Sequence, residues 1–382
     1  FRSLGRAGWR ESDLRAVVPE ETGEAWSDLA FAGVRRSLGR HFVQRGEHGL
    51  WDFFHARLRE TARDRYLADA QTARRLHGSL VDHLESLPPE DPLRRSETMV
   101  HVIGLGEPTR AAKYLAGLTI GSGARNNAAR VLAEHIAGDS DGMDFASALL
   151  EADGITPEEQ YLVANNLLFD VADALDSLAP LGPRMDLLRA CRRCLKRLAE
   201  SDTSNAGLAR DLSVSHIKIG EVLVRQGRLE ESLESYRASM GIAERLAQSD
   251  PSNADSQRDL GVIHDRIGDV LRSQGRLEEA LKFYRTSMGI RDRLAESDPS
   301  NADWQHSLSV SHAKIGDVLV SQGRLEEALE SYRVAMGIAK RLAQTDPSNA
   351  DWQHQLSVCN GKIGDMLQAQ GGLEEALQSY RA

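Results

Sequence analysis

Apolar residues recur at helical spacing over most of the chain, and from Leu212 onward the whole pattern repeats every 48 residues. Leu212, Leu260, Leu308 and Leu356 open matching blocks. Gly220, Gly268, Gly316 and Gly364 keep the interval, as do Tyr236, Tyr284, Tyr332 and Tyr380. Within one copy, Trp304, Leu308, Ile315, Val318 and Leu319 share a helical face, and Leu325, Ala328, Leu329, Tyr332 and Met336 share a second. Gln322-Gly323-Arg324 breaks the chain between them. Each copy therefore reads as two antiparallel helices. Asp346-Pro347-Ser348-Asn349 closes the copy. Ser348 or Asn349 can cap the next helix, with Asp351 completing a capping box to Ser348. A worn copy comes first: Val171 to Leu175 aligns with Ile219 to Leu223, and Arg197 to Asn205 with the block one period later. The array is expected over 164–382, about four and a half copies.

The pattern before the array is different. Glu11 to Val18 and Trp26 to Leu38 read as helices. His41 to Arg45 and Leu50 to Phe54, rich in aromatic and β-branched residues, flank a Gly46-Glu47-His48-Gly49 turn and read as a hairpin. His55 to Tyr66 reads as an Arg-rich helix. Residues 67–163 are read as a helical connector: Asp69 to Leu87, Ser96 to Gly104, Pro108 to Leu118, Asn126 to Ala137 and Met143 to Glu151. Its clearest break is Leu87-Pro88-Pro89-Glu90-Asp91-Pro92. The fold class is mostly α, with one small hairpin.

The repeated residues resemble the tetratricopeptide repeat. Gly316 and Ala328 stand at the family's small positions and Tyr332 at its aromatic one. His216, His264 and His312 replace the first-helix Trp, and the period of 48 exceeds the family's usual length. The resemblance implies an α-solenoid whose first helices line a concave groove for a protein ligand. The groove positions are then Ile217, Glu221, Arg225, Asp265, Asp269, Arg272, Asp317 and Asp365. Ile217, Asp265, Ala313 and Gly361 vary between copies, whereas Glu221, Asp269, Asp317 and Asp365 are all acidic. Two readings of the acids stay open. They form a stripe for a basic or amide-rich polypeptide, or they pair at i, i+3 with Lys218, Arg266, Lys314 and Lys362.

Helices, hairpin and "FFHARLRETARDRYL" together resemble the winged-helix domain of STAND NTPases, the class that includes NACHT and NB-ARC signalling ATPases. On that resemblance residues 1–66 are a winged helix, and His55 contacts the phosphate of bound ADP in the resting state. Ala56 stands where the family's motif has Asp. An upstream NTPase domain using ADP or ATP with Mg is then expected in a longer protein, with homo-oligomerisation on activation. Phe1 is not Met and the last copy stops partway, which fits an excised piece.

Charge narrows the partners. With 47 basic and 57 acidic residues the net charge is −10, which disfavours nucleic acid. No apolar run approaches the roughly 20 residues of a membrane span. Three cysteines fit a reducing, cytoplasmic compartment. Cys191 and Cys194 align with Ser239 and Ile242 and read as packing residues, with no second pair to complete a zinc site. Neither Gly104-Leu105-Gly106 nor Gly121-Ser122-Gly123 leads into a Gly-Lys-Ser/Thr, so no P-loop is present in this sequence. No catalysis is expected within this segment. The reading is the sensing and regulatory part of a STAND NTPase in bacterial defence signalling; the alternative is a tetratricopeptide adaptor without a nucleotide switch.

Overall fold

Trp9 is wholly buried, and the packing of the first part of the chain starts from it. The computed structural model describes residues 9–38, 42–45, 50–53, 69–178 and 180–381, which are almost all helical. They fall into two compact units, Phe1–Asp202 and Thr203–Ala382.

In the first unit, α1 (Glu11–Thr22) begins where the Arg10 guanidinium grips both Asp13, 2.8 Å away, and Asp91, also at 2.8 Å. It ends at Gly23, whose φ of 69° suits the left-handed cap. Then come α2 (Asp28–Leu38), β1 (Phe42–Arg45) and β2 (Leu50–Phe53). The strands run antiparallel, with Phe42 opposite Phe53. The helices α3 (Ala70–Ser86), α4 (Pro92–Leu105), α5 (Pro108–Ala116), α6 (Gly123–Gly138), α7 (Gly142–Leu150) and α8 (Pro157–Asn166) follow. Four of these six starts carry ordinary side-chain caps: Asp69, Asp91 before Pro92, Ser122, and Thr156 with Glu159. A single π turn, Leu167–Val171, leads into α9 (Ala172–Leu178), and α10 (Leu181–Ser201) closes the unit.

The sequence assigns residues 1–66 to a winged helix, and the structure does not establish one. The turn between the strands and residues 54–68 lie outside the described residues, so nothing is placed there, including His55. Among the described residues no third strand occurs. The buried side of α1 meets α3 and α4 instead: Trp9 and Val17 pack with Leu80, Leu84 and Leu93. Beside them His77 and His101 meet through their Nδ1 atoms at 3.0 Å, and the His101 Nε2 lies 3.6 Å from Glu97. Gly104 makes room for this pair, since a Cβ there would come within 2.3 Å of the His77 ring.

In the second unit each period gives a 20-residue first helix and, in the complete pairs, a 21-residue second helix. The pairs are α11 (Ala206–Arg225) with α12 (Leu229–Ser249), α13 (Ala254–Ser273) with α14 (Leu277–Ser297), and α15 (Ala302–Ser321) with α16 (Leu325–Thr345). α17 (Ala350–Ala369) and the shorter α18 (Leu373–Arg381) complete the described chain. Gly227, Gly275, Gly323 and Gly371 make the turn inside each pair at φ of 73°, 75°, 76° and 84°, a conformation that a side chain would strain. Of the two candidate caps, Asn acts: the Asn253, Asn301 and Asn349 side chains accept from Ser256, Trp304 and Trp352 backbone N–H groups. The expected capping box does not form. Ser348 is held by Asp346, which accepts from its backbone N–H at 2.9 Å and its hydroxyl at 2.6 Å.

The faces read from the sequence are the buried ones. Leu308, Ile315, Val318 and Leu319 of α15 are buried, as are Ala328, Leu329 and Tyr332 of α16. Within each pair a tyrosine ring packs closely against a glycine. A Cβ on Gly220, Gly268, Gly316 or Gly364 would come 2.5, 2.7, 2.7 or 2.4 Å from the ring of Tyr236, Tyr284, Tyr332 or Tyr380. Buried serines tie the same helices: Ser287 donates to the Gly261 carbonyl and Ser309 to that of Ala335, each at 2.9 Å.

Two outcomes follow. Gly316→Ala should destabilise by about 1–3 kcal/mol through overpacking against Tyr332. Gly337→Ala, with nothing within 4 Å of its Cβ, should be neutral or stabilising by up to about 1 kcal/mol. Urea denaturation followed by circular dichroism reads both. In the first unit, burial and then the neighbouring His101 push His77 down from 6.5 to about 3. The unfolded chain therefore takes up this proton first. His77's contribution is full above about 6.5 and is lost as the pH falls below it. Melting temperatures compared at pH 7.5 and 5.5 should drop, and His77→Gln should reduce that drop.

Candidate protein-binding face of the repeat array

The first helices of successive pairs lie side by side, and their ion pairs cross from copy to copy. Arg266 reaches Glu221 at 3.0 Å, Lys314 reaches Asp269 at 2.9 Å, and Lys362 reaches Asp317 at 2.9 Å. Arg272 approaches Asp317 at 3.6 Å, and Arg210 holds Asp259 at 2.7 Å. Lys314, Lys362 and Arg266 thus serve the acid of the preceding copy, and among the described residues none of them pairs with the acid three residues along its own helix.

Three of the four acids, the aspartates, also accept a tyrosine hydroxyl within their own pair. The Tyr284 hydroxyl donates to Asp269 at 2.6 Å, Tyr332 to Asp317 at 2.6 Å, and Tyr380 to Asp365 at 2.7 Å. Burial first, and then the carboxylate, push the Tyr284 phenol up, so it stays a donor. The acids therefore act as joints between helices. They are not a row of free negative charges.

Of the variable positions, Ile217 is half-buried against the core and, with Val214, lines a cleft of about 80 Å³ between the first two full copies. Arg225 sits exposed at the end of α11. Ala313 is half-buried, and Gly361 has open space beside it. Asp265 is different. It is only 6% exposed, and its Oδ2 is bound by Arg291 at 2.8 Å with Lys314 at 3.9 Å. Its Oδ1 is buried with no hydrogen-bond partner among the described residues. Arg291, on α14, also donates to the Ser311 hydroxyl at 2.5 Å.

Sequence reasoning missed Arg291. The neighbouring copies have Ala243 and Ala339 at that place, and they have Ile217 and Ala313 where Asp265 stands. Phe283 likewise replaces the Ser235 and Ser331 of its neighbours, and its ring lies 5.6 Å from that of His264. The second full copy thus carries its own ionic and aromatic group on a repeated frame. A search for two residues that break the period together would have found it.

Elsewhere the chemistry is quiet. Cys191, Cys194 and Cys359 are buried and free, and burial pushes the Cys191 thiol up and that of Cys359 to about 11. Among the described residues no group of three His, Cys, Asp or Glu side chains could hold a metal ion. None of their helices is long and apolar enough to cross a membrane.

Removing one member of the buried pair exposes its cost. Asp265→Ala should destabilise by about 3 kcal/mol, because Arg291 keeps a nearly buried charge. Asp265→Ala with Arg291→Ala reproduces the third copy's residues and should return to within about 1 kcal/mol of the parent. Denaturation of the parent, both single variants and the double variant closes the cycle.

A family model for the tetratricopeptide repeat matches residues 263–293. These residues run from the middle of α13 into α14, the inner part of one helix pair. No curated protein matches the chain. Among solved structures it is similar to BtubC (BKLC) from P. vanneervenii, at 16% identity over 65% of this chain and 88% of that one, with a TM-score of 0.48. It is also similar to a Signal Transduction ATPase with Numerous Domains protein with a tetratricopeptide repeat sensor from Pyrococcus horikoshii, at 12% identity over 99% and 54%, TM-score 0.44. The apo form of RapI is similar at 12% identity over 84% and 72%, TM-score 0.47.

Proposed function

We propose that this chain is the sensing and regulatory portion of a STAND-type NTPase, and that its array holds a protein trigger across the first helices of the pairs. The observation that supports trigger binding is the contrast between the recurring frame and the first-helix positions that vary. The Gly–Tyr contacts, serine ties and inter-copy ion pairs recur, whereas Ile217, Asp265, Ala313 and Gly361 differ from copy to copy. A constant frame with varied first-helix residues lets one end of a stack read a different part of a partner from the other. The cleft beside Ile217 suits one aliphatic side chain.

The nucleotide switch rests on the sequence resemblance around His55. In the longer protein His55 would hold the ADP phosphate, and an upstream domain would supply ATP chemistry with Mg. Trigger binding would then favour the open form. Moving such an equilibrium from about 1:99 to 99:1 takes about 10⁴-fold tighter binding to the favoured state. Homo-oligomerisation and bacterial defence signalling complete the proposal.

The test has two arms. The chain as bait should capture a protein that stimulates the ATPase of the longer protein, and Ile217→Ala with Arg225→Glu should weaken capture by about tenfold or more. His55→Ala in the longer protein should speed ADP loss or activate it without trigger. A captured partner with no effect of nucleotide or of His55 would replace the switch by the adaptor reading. Unchanged capture by the Ile217 and Arg225 variant would move the contact off this face.

A further inference from the structure

The first unit holds a cleft of about 540 Å³ lined by Glu85, Arg94, Arg95, Arg110, Lys113 and Tyr114, with Pro89, Leu118 and Ala124 as apolar wall. Four cations and one carboxylate in one cleft are unusual in a chain of net charge −10. Only Arg110 is neutralised: it holds Glu85 at 2.7 Å and Asp82 at 2.6 Å. Among the described residues, Arg94, Arg95 and Lys113 have no carboxylate within ion-pair distance.

The two other arginines are positioned by carbonyls. Arg94 donates to the Glu85 and Leu87 carbonyls at 3.0 and 2.5 Å, and Arg95 donates through Nε to that of Pro89 at 3.2 Å. Such contacts orient a guanidinium without cancelling its charge, and they use only one or two of its five N–H donors. They could serve solely to tie down the 85–89 segment, but that leaves Lys113 unexplained. Burial pushes the Tyr114 phenol up, and the hydrogen bond with Thr98 and then the nearby charges of Arg94 and Arg95 oppose it. Ala124 brings the first turn of α6 into the wall, where the helix dipole adds positive potential.

We propose that this cleft binds a small organic polyphosphate of nucleotide class. Arg94, Arg95 and Lys113 meet its phosphates, and Tyr114 with Leu118 and Pro89 flanks its organic part. The cleft volume falls within the range of small-molecule sites. Planar guanidinium donors suit phosphate oxygens. Three uncompensated cations match a ligand with two or more phosphates better than a single carboxylate. All of its lining residues lie in the first unit, ahead of the repeat array.

Isothermal titration of the full 382-residue chain with inorganic tripolyphosphate and with ADP tests this. Saturable binding is expected for at least one probe, weakening as salt rises. Arg95 and Lys113 are exposed, so charge reversal there leaves the core alone. Arg95→Glu with Lys113→Glu should reduce affinity about tenfold or more at unchanged circular dichroism. If that chain misfolds, Arg95→Gln with Lys113→Gln should still give about a threefold loss or more. The proposal is overturned if neither probe saturates at millimolar concentration, or if the folded variant binds both as the parent does. It is also overturned if an RNA oligonucleotide binds the cleft and tripolyphosphate and ADP fail to displace it.

Discussion

In every helix pair of the array, a tyrosine ring rests on a glycine backbone with no room for a methyl group between them. That contact sets how closely the two helices approach. In three of the pairs it also fixes where the phenol oxygen emerges, and the oxygen meets an aspartate one residue beyond the glycine, as Tyr284 meets Asp269 and Tyr332 meets Asp317. The same aspartate then receives a lysine from the next pair, Lys314 or Lys362. One close approach inside a copy is thus connected, through a single carboxylate, to the join between copies. The carboxylate is half-exposed, so its worth as an ion pair alone is small. Its role in satisfying the tyrosine hydroxyl is what binds it to the packing.

The helices, turns and buried faces of the array were legible because period and helical spacing both report on them. The partners of the charged residues were not. A base three residues before its own acid is also 45 residues after the preceding one, as Lys314 is to Asp269. The sequence is silent about which of the two distances is short in space. Asp265 stood out as a variable position, but its partner Arg291 lies on the other helix of the pair, where no periodic rule links them. Ser348 and Asn349 were equal candidates for a cap until geometry gave Ser348 to Asp346.

The first unit was harder to read because its polar residues are used inside. His77, Glu97, Thr98, His101 and Arg125 are all buried, each at a place where a pattern of apolar faces predicts nothing. Arg125 is held by Asp170 at 2.5 Å and Asn165 at 2.9 Å, a join that spans 45 residues. The burial of Trp9 against α3 and α4 was equally hidden, since a lone aromatic ahead of a short helix names no partner. The cleft beside α5 was also invisible. Its cations come from two separate helices, and the neutral balance of the neighbouring sequence conceals their convergence.

The pairing of Asp265 with Arg291 bears on how the array assembles. Four nearly identical copies offer many wrong partners during folding, because α13, which packs on both α12 and α14, could take α12 or α16 in place of α14 as its partner within the pair, with almost the same apolar surface. Those helices carry Ala243 and Ala339 where α14 carries Arg291. A slipped pair would bury Asp265 against a methyl group with no cation to receive it, a cost that the correct pair avoids. The one irregular copy can thus act as a register mark, setting which helices belong together in a chain whose other contacts hardly distinguish them.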